Sequence, residues 1–268
     1  MILGVSSYTF TWAVGVKGHP PKTPLVWRDL IKMAGNLGVR LVQIADNMPL
    51  HSMADEEIDR LVQEASENNI RLEAGAKRLT SENLGKYLDI AERMQSKILR
   101  FVIDAEGYKP DLKEVISIIK NAEPELKKRG IILALENHDR FLTTQFLQII
   151  EEVASPYLGI CLDCANSIGA GEGFREVISR LAPHAVNFHL KEVSIERKCH
   201  MMGFDVEGKP FGEGDIPLEW MLSQLTPKCK TAILEQWTPP EPTLEQTIIK
   251  EQSWVEKSVV YLRKYIKE

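Results

Sequence analysis

The sequence predicts a single α/β domain over residues 1–268, a closed barrel of eight parallel strands, each followed by a helix. Three observations carry this reading. Short, continuous apolar runs recur along the chain, as expected of strands buried on both faces of a parallel sheet. Segments of helical period separate them, at a repeat of about 30 residues, which suits a strand-helix unit. Four runs in the second half stop on a residue able to bind a metal or move a proton: Glu136 in IILALENH, Asp163 in YLGICLD, His189 in HAVNFH and Glu235 in TAILE.

Strands are expected to begin near Ile2, Val39, Ile70, Lys97, Ile131, Tyr157, His184 and Cys229. The helical segments between them cover residues 25–36, 55–68, 81–95, 111–129, 143–153, 173–181, 217–225 and 243–267. Several open as helices should, with Thr23-Pro24, Ser81 ahead of Glu82, and Asp215 two residues before Pro217. A doubly wound open sheet would have fewer strands and a glycine-rich first turn, and no G-x-G-x-x-G follows the first strand. Two connections exceed the repeat: residues 8–23 (YTFTWAVGVKGHPPKT) and residues 193–216, which contain GFDVEGKPFGEGD. Both follow strands, so both should rise from the barrel's carboxyl face as walls over a pocket. Residues 203–214 read as a short hairpin turning at Glu207-Gly208-Lys209.

Composition excludes several classes of function. With 33 basic against 38 acidic residues the net charge is -5, and no Lys/Arg-rich stripe points to nucleic acid. Apolar runs fall far short of the roughly 20 residues that span a bilayer. The opening MILGVSSYTF reads as a first strand rather than a signal peptide, so a cytoplasmic protein is expected. Cys161, Cys164, Cys199 and Cys229 show no zinc-ribbon spacing and read as small buried hydrophobes of a reduced compartment.

In a barrel, residues at the ends of different strands converge on one point, so Glu136, Asp163, His189 and Glu235 can meet although far apart in the chain. Three carboxylates and one imidazole form an oxygen-rich set suited to one divalent ion, Mn²⁺ first, with Mg²⁺, Co²⁺ or Zn²⁺ as alternatives. Without a cation, three converging negative charges would repel strongly.

These motifs resemble the xylose isomerase-like TIM barrels, within them the sugar phosphate isomerase/epimerase group that includes ketose 3-epimerases and inosose isomerase. The resemblance spans essentially the whole chain and rests on LALENH, GICLDCAN, HLKE and AILEQW, with GEGD at 212–215 and the opening SSYTFTWAVGVKGHPP. It implies a metal-dependent sugar isomerase or epimerase acting on a carbohydrate or keto-sugar. In that chemistry a proton next to the carbonyl is removed through a metal-held enediolate, with Glu136 and Glu235 as the acid/base pair. Relatives of the 3-dehydroshikimate dehydratase type imply an alternative, a lyase using the same enolate; a non-catalytic sugar-binding barrel is a third reading. A homo-oligomer, dimer or tetramer, is likewise implied. An endonuclease IV cluster would need more histidines than these strand ends supply. The chain departs from the ketose 3-epimerase pattern at Asn166, where a histidine is usual, and at Ile195, where an arginine is usual, with Arg197 two residues on. Substrate contacts should differ accordingly.

Further candidates for substrate binding are His138, Asn166, Lys191, Glu73, Arg197 and Trp12. Lys191 shares its side of the strand with His189 if the strand continues, and could meet a hydroxyl, carboxylate or phosphate, or simply pair with a nearby acid. Glu73 and Gln43 are read as facing the pocket mouth, or as tying down loops. Arg197 could clamp an anionic group or be solvated surface. Trp12 is a wall candidate or a packing residue.

Overall fold

The computed structural model describes residues 1–267. Eight parallel strands close in the order β1-β10-β7-β6-β5-β4-β3-β2. They are β1 (Ile2–Ser6), β2 (Leu41–Ile44), β3 (Arg71–Lys77), β4 (Ile98–Val102), β5 (Ile132–Glu136), β6 (Leu158–Asp163), β7 (Ala185–Leu190) and β10 (Thr231–Leu234). Each begins within a few residues of its expected position. The helices are α1 (Thr11–Val14), α2 (Trp27–Asn36), α3 (Asp55–Glu67), α4 (Ser81–Arg93), α5 (Leu112–Arg129), α6 (Thr143–Val153), α7 (Phe174–Leu181), α8 (Leu218–Gln224) and α9 (Leu244–Leu262). The last ends earlier than the sequence pattern suggested.

Helix α5 shows why these segments fold as they do. Val115, Ile116, Ile119 and Leu126 recur at helical spacing and are buried against the strands. The Asp111 carboxylate accepts from the Glu114 amide at 2.8 Å and caps the start. Gly130, at φ 63°, takes the left-handed turn that ends the helix and feeds β5. Trp27, Tyr87, Phe101, Phe146 and Phe188 are almost wholly buried, each contributing roughly 1.5–3 kcal/mol or more of apolar burial. A second, smaller apolar cluster of Ile98, Ala134, Cys161 and Val186 lies apart from this main core.

The long connections lie where expected. The first carries α1. The second carries an antiparallel hairpin, β8 (Val193–Arg197) with β9 (Phe204–Gly208). Its turn is not Glu207-Gly208-Lys209. Arg197 pairs with Phe204, so residues 198–203 form the turn and Glu207 and Gly208 lie within β9. Gly208 serves close approach instead: a Cβ there would sit 1.9 Å from the Trp237 carbonyl oxygen. Gly208→Ala should therefore force the hairpin off the loop that follows β10 and cost about 1–3 kcal/mol, read as a lower urea midpoint.

Candidate active site at the carboxyl ends of the strands

Glu136 and Asp163 are the last residues of β5 and β6, His189 is the penultimate residue of β7, and Glu235 directly follows β10. All four side chains are buried and face one another. From His189 Nδ1, the Glu235 carboxylate lies at 3.4 Å, that of Glu136 at 3.5 Å and that of Asp163 at 3.9 Å. The four side chains that the sequence singled out are thus brought together.

The other imidazole nitrogen decides what His189 can do. Its Nε2 lies 2.9 Å from Gln43 Oε1. The Gln43 amide nitrogen is directed at Glu73 Oε2 (3.0 Å) and Asn187 Oδ1 (3.4 Å), so the oxygen facing His189 must accept. Nε2 therefore carries a proton; burial disfavours a second one, but the Glu235 and Glu136 charges outweigh it and raise the imidazole's pKa, so Nδ1 would present its lone pair to a cation that displaced this second proton. That Nδ1 is buried and without a hydrogen-bond partner, aimed among three carboxylates. A buried imidazole nitrogen without a hydrogen-bond partner, set among converging anions, is the environment that a divalent cation satisfies, with Gln43 holding the ring through Nε2. Asp163, His189 and Glu235 place donor atoms within 4.8 Å of one another, as do Glu136, Cys161 and His189. Cys161 fits the set less well. Burial and the nearby Glu136 hold its thiol well above its ordinary pKa, and the thiol donates to Asn187 Oδ1 at 3.1 Å.

Each carboxylate is held in place by its neighbours. Asp163 Oδ1 accepts the amides of Ala165 and Asn166, both at 2.8 Å, while Oδ2 accepts Lys191 Nζ at 2.7 Å. Lys191 also approaches Glu235 Oε2 at 3.1 Å, donates to Asn166 Oδ1 at 3.0 Å, and lies over the Trp237 ring. Ser6 Oγ donates to Glu235 Oε1 at 3.2 Å. Burial alone would raise the Glu235 pKa, and His189 and Lys191 more than reverse this, holding it well below the carboxylate range. Asn166 Nδ2 donates to Glu136 Oε1 at 2.8 Å.

Sequence reasoning missed a second tier of charge. Arg100, buried in the middle of β4, donates from Nε to Glu136 Oε2 and from Nη1 to Asp46 Oδ1 at 2.6 Å. The Tyr8 hydroxyl reaches Asp46 Oδ2 at 2.9 Å, and Lys77 is 3.1 Å from the same oxygen. Burial pushes the Asp46 carboxyl up, and Arg100 and Lys77 outweigh it to leave a net depression. A lone charge inside the apolar run ILRFV was the available signal.

Above these groups opens a cavity of about 830 Å³, whose walls include Tyr8, Trp12, His138, Lys191 and Trp237. His138 is partly exposed beside Asp139, and Asn166 and Lys191 line the floor. Two candidates sit elsewhere. Glu73 does not face the pocket mouth, because β3 runs on to Lys77 beyond it; its carboxylate lies within the barrel, bound by Gln43 and Asn187, and bears on the site through Gln43. Arg197 is exposed on the hairpin, stacked on Phe204 and donating to the Met201 carbonyl, away from the cavity.

The loop bearing Trp12 is anchored by Glu251 of α9. Its carboxylate accepts the Trp12 amide at 2.9 Å and the Ala13 amide at 3.1 Å, while the Trp12 indole donates to the Thr238 carbonyl at 2.8 Å. Burial pushes the Glu251 carboxyl up from 4.5 to about 7. A carboxyl raised on folding stabilises the fold when protonated, so stability should fall as pH rises from about 4.5 to about 7, then level off. The effect is on the order of 3 kcal/mol at most. Urea midpoints of the native chain and Glu251→Gln, measured from pH 5 to 8, should fall more steeply with pH in the native chain, the difference isolating Glu251 from other buried groups such as Glu73 and His189.

A closed eight-stranded parallel barrel that gathers three carboxylates and an imidazole at its strand ends has the architecture of a TIM-barrel enzyme. The chain belongs to the xylose isomerase-like TIM barrel family, whose model matches residues 31–264. A 3-oxo-isoapionate decarboxylase of Pectobacterium atrosepticum is 28% identical over 264 residues, covering 98% of this chain and 95% of that protein. Among solved structures, a D-psicose 3-epimerase with D-tagatose from Clostridium cellulolyticum H10 aligns over 100% of both chains with TM-score 0.72 at 14% identity. A xylose isomerase-like TIM barrel protein from Mycobacterium smegmatis in complex with magnesium aligns over 97% of each chain, with TM-score 0.68 at 14% identity. At these identities the structural likeness speaks for the fold. No helix among the described residues is long and apolar enough to cross a membrane.

Proposed function

We propose that the protein is a divalent-metal-dependent sugar isomerase or epimerase, cytoplasmic and homo-oligomeric, that removes a proton next to the carbonyl of a polyhydroxylated substrate. The supporting observation is the orphaned His189 Nδ1 facing Glu136, Asp163 and Glu235, the four residues that would hold the ion. The hard, oxygen-rich set favours Mn²⁺, with Mg²⁺, Co²⁺ or Zn²⁺ as alternatives. Bound there, the cation would polarise the substrate carbonyl and acidify the adjoining C–H.

The chain's own residues do the rest. Glu235 takes the proton as general base, oriented by Ser6 and Lys191. Glu136, oriented by Asn166 and Arg100, starts the turnover protonated and delivers its own proton from the opposite face, so the two carboxyl groups end with their protonation exchanged. Delivery to the same carbon inverts that centre; delivery to the neighbouring carbon isomerises. Trp12 and Trp237 narrow the cavity and limit water, while His138, Asn166 and Lys191 bind substrate oxygens.

A second reading is favoured by charge. Arg100, Lys191 and Lys77 stand among Glu136, Asp163, Glu235 and Asp46, three positive charges against four negative. Adding a divalent cation leaves the site net positive, which suits an anionic substrate. Loss of carbon dioxide from a 3-oxo acid breaks the C–C bond to the carboxylate and leaves its electron pair in the same kind of enolate, which an acid then protonates. The full-length decarboxylase relative agrees with this course; for the dehydratase alternative, a probable 3-DHS dehydratase shares the fold at 14% identity. The test is deuterium wash-in beside the carbonyl with Mn²⁺ across a panel of ketoses and 3-oxo sugar acids. Exchange without loss of mass supports the first reading, and carbon dioxide release supports the second. Neither exchange, carbon dioxide release nor water loss anywhere in the panel would leave a binding barrel.

A further inference from the structure

The opposite, amino-terminal end of the barrel holds a second large cavity of about 1150 Å³, and nothing in the proposed chemistry uses it. Its rim carries Arg40, Arg71, Lys97, Lys228, Lys230 and Lys267, all exposed. None of the six has an ion-pair partner among the described residues. Three carboxylates share the cavity: Asp59 is bound by Arg93, Glu67 accepts from Gln63, and Glu73 lies in the lumen bound by Gln43 and Asn187. Beneath the cations is an apolar floor that includes Ile98, Ile132 and Val186.

Helix carboxyl termini also face this end, and cations near them are ordinarily explained by the helix dipole. That explanation predicts cations at strand starts all round the rim, whereas here they form an arc. Lys230, Arg40, Arg71 and Lys97 stand at the starts of β10, β2, β3 and β4, which with β1 are contiguous in the barrel order. On the other side, the last turns of α5 and α7 carry Lys127, Lys128, Arg129 and Arg180, but none of these lines the cavity and Lys128, Arg129 and Arg180 are paired with acids, while the starts of β5, β6 and β7 bring Ile131, Tyr157 and His184. A chain of net charge -5 has thus collected unpaired positive charge on one side of one cavity, over apolar surface. Cations held together without anions repel, and a multivalent anion relieves that repulsion.

We propose that this cavity is a second binding site, for a small organic polyanion that sets two or more anionic groups against the cationic arc and an apolar body against Ile98, Ile132 and Val186. A phosphorylated metabolite with an aromatic or aliphatic body is the natural class. The site is independent of the carboxyl-end chemistry.

The probe is pyranine, a trisulfonated pyrene, followed by fluorescence anisotropy with the full chain loaded with Mn²⁺; its sulfonates are weak metal ligands. Saturable binding that weakens as salt is raised is expected, with displacement by unlabelled naphthalene-1,3,6-trisulfonate, which likewise binds metal weakly. The Arg71→Glu/Lys97→Glu double variant should bind about tenfold or more weakly, while turnover and Mn²⁺ binding stay unchanged. Arg40→Glu/Lys230→Glu is an independent second pair, also at exposed positions. Absence of dye binding, or equal binding by the native chain and both charge-reversed variants, overturns the proposal. Loss of dye binding in Lys191→Ala alone would assign the dye to the other end and overturn it equally.

Discussion

Replacing His189 with asparagine is expected to weaken Mn²⁺ binding by at least about a hundredfold and to remove turnover, with the barrel still folded. The magnitude follows from scale: changing a residue that merely orients a ligand already costs about 10–100-fold in affinity, and His189 is proposed as the ligand itself. Gln43 provides the graded comparison. It meets the proposed ion only through the His189 Nε2 proton, so Gln43→Ala should weaken Mn²⁺ by about 10–100-fold and leave some turnover. Thermal melts give a readout free of any substrate. A ligand at about a hundred times its Kd stabilises by about 2.7 kcal/mol and at its Kd by only about 0.4 kcal/mol, so Mn²⁺ should raise the native melting temperature, raise that of Gln43→Ala less, and move His189→Asn least. An equal Mn²⁺ shift in all three proteins would place the ion elsewhere.

What the sequence could show about this site follows from what a strand end looks like in one dimension. Glu136, Asp163, His189 and Glu235 each close an apolar run, and barrel closure converts that regularity into convergence. Strand and helix positions were legible for the same reason, since apolar period records which face is buried. Arg100 was not, because a charge inside ILRFV gains meaning only when Glu136 and Asp46 arrive from other strands. Glu73 was placed too high because β3 continues to Lys77, four residues beyond it, and one chain does not show where a strand stops relative to its neighbours. The hairpin turn was misplaced because a glycine signals either a turn or close approach. Gly208 is the second kind, set against the Trp237 carbonyl, which lies 29 positions later in the chain (237 − 208). Arg197 failed as a site residue for a related reason: its strand leaves the barrel, so distance from His189 along the chain no longer measures distance in space.

Arg100→Ala should be the most destabilising single change at the site, because it strands charges that nothing else neutralises fully. The guanidinium is 3% exposed and joins Glu136, 1% exposed, to Asp46. Removing one partner of a buried ionic network costs about 3–5 kcal/mol, since the remaining carboxylates stay desolvated. Asp46 would keep Lys77 and the Tyr8 hydroxyl, and Glu136 would keep Asn166, so the lower half of that range is expected for the metal-free protein. Arg100→Lys retains a charge but loses the planar fork that serves both acids, and should fall between the two. Mn²⁺ separates electrostatics from packing. A cation held partly by Glu136 would replace some of the lost positive charge, so the deficit in urea midpoint should shrink when Mn²⁺ is saturating. An undiminished deficit would mean that Arg100 acts by filling the lumen and bracing Asp46, and that its contact with Glu136 has no part in tuning the acid/base residue.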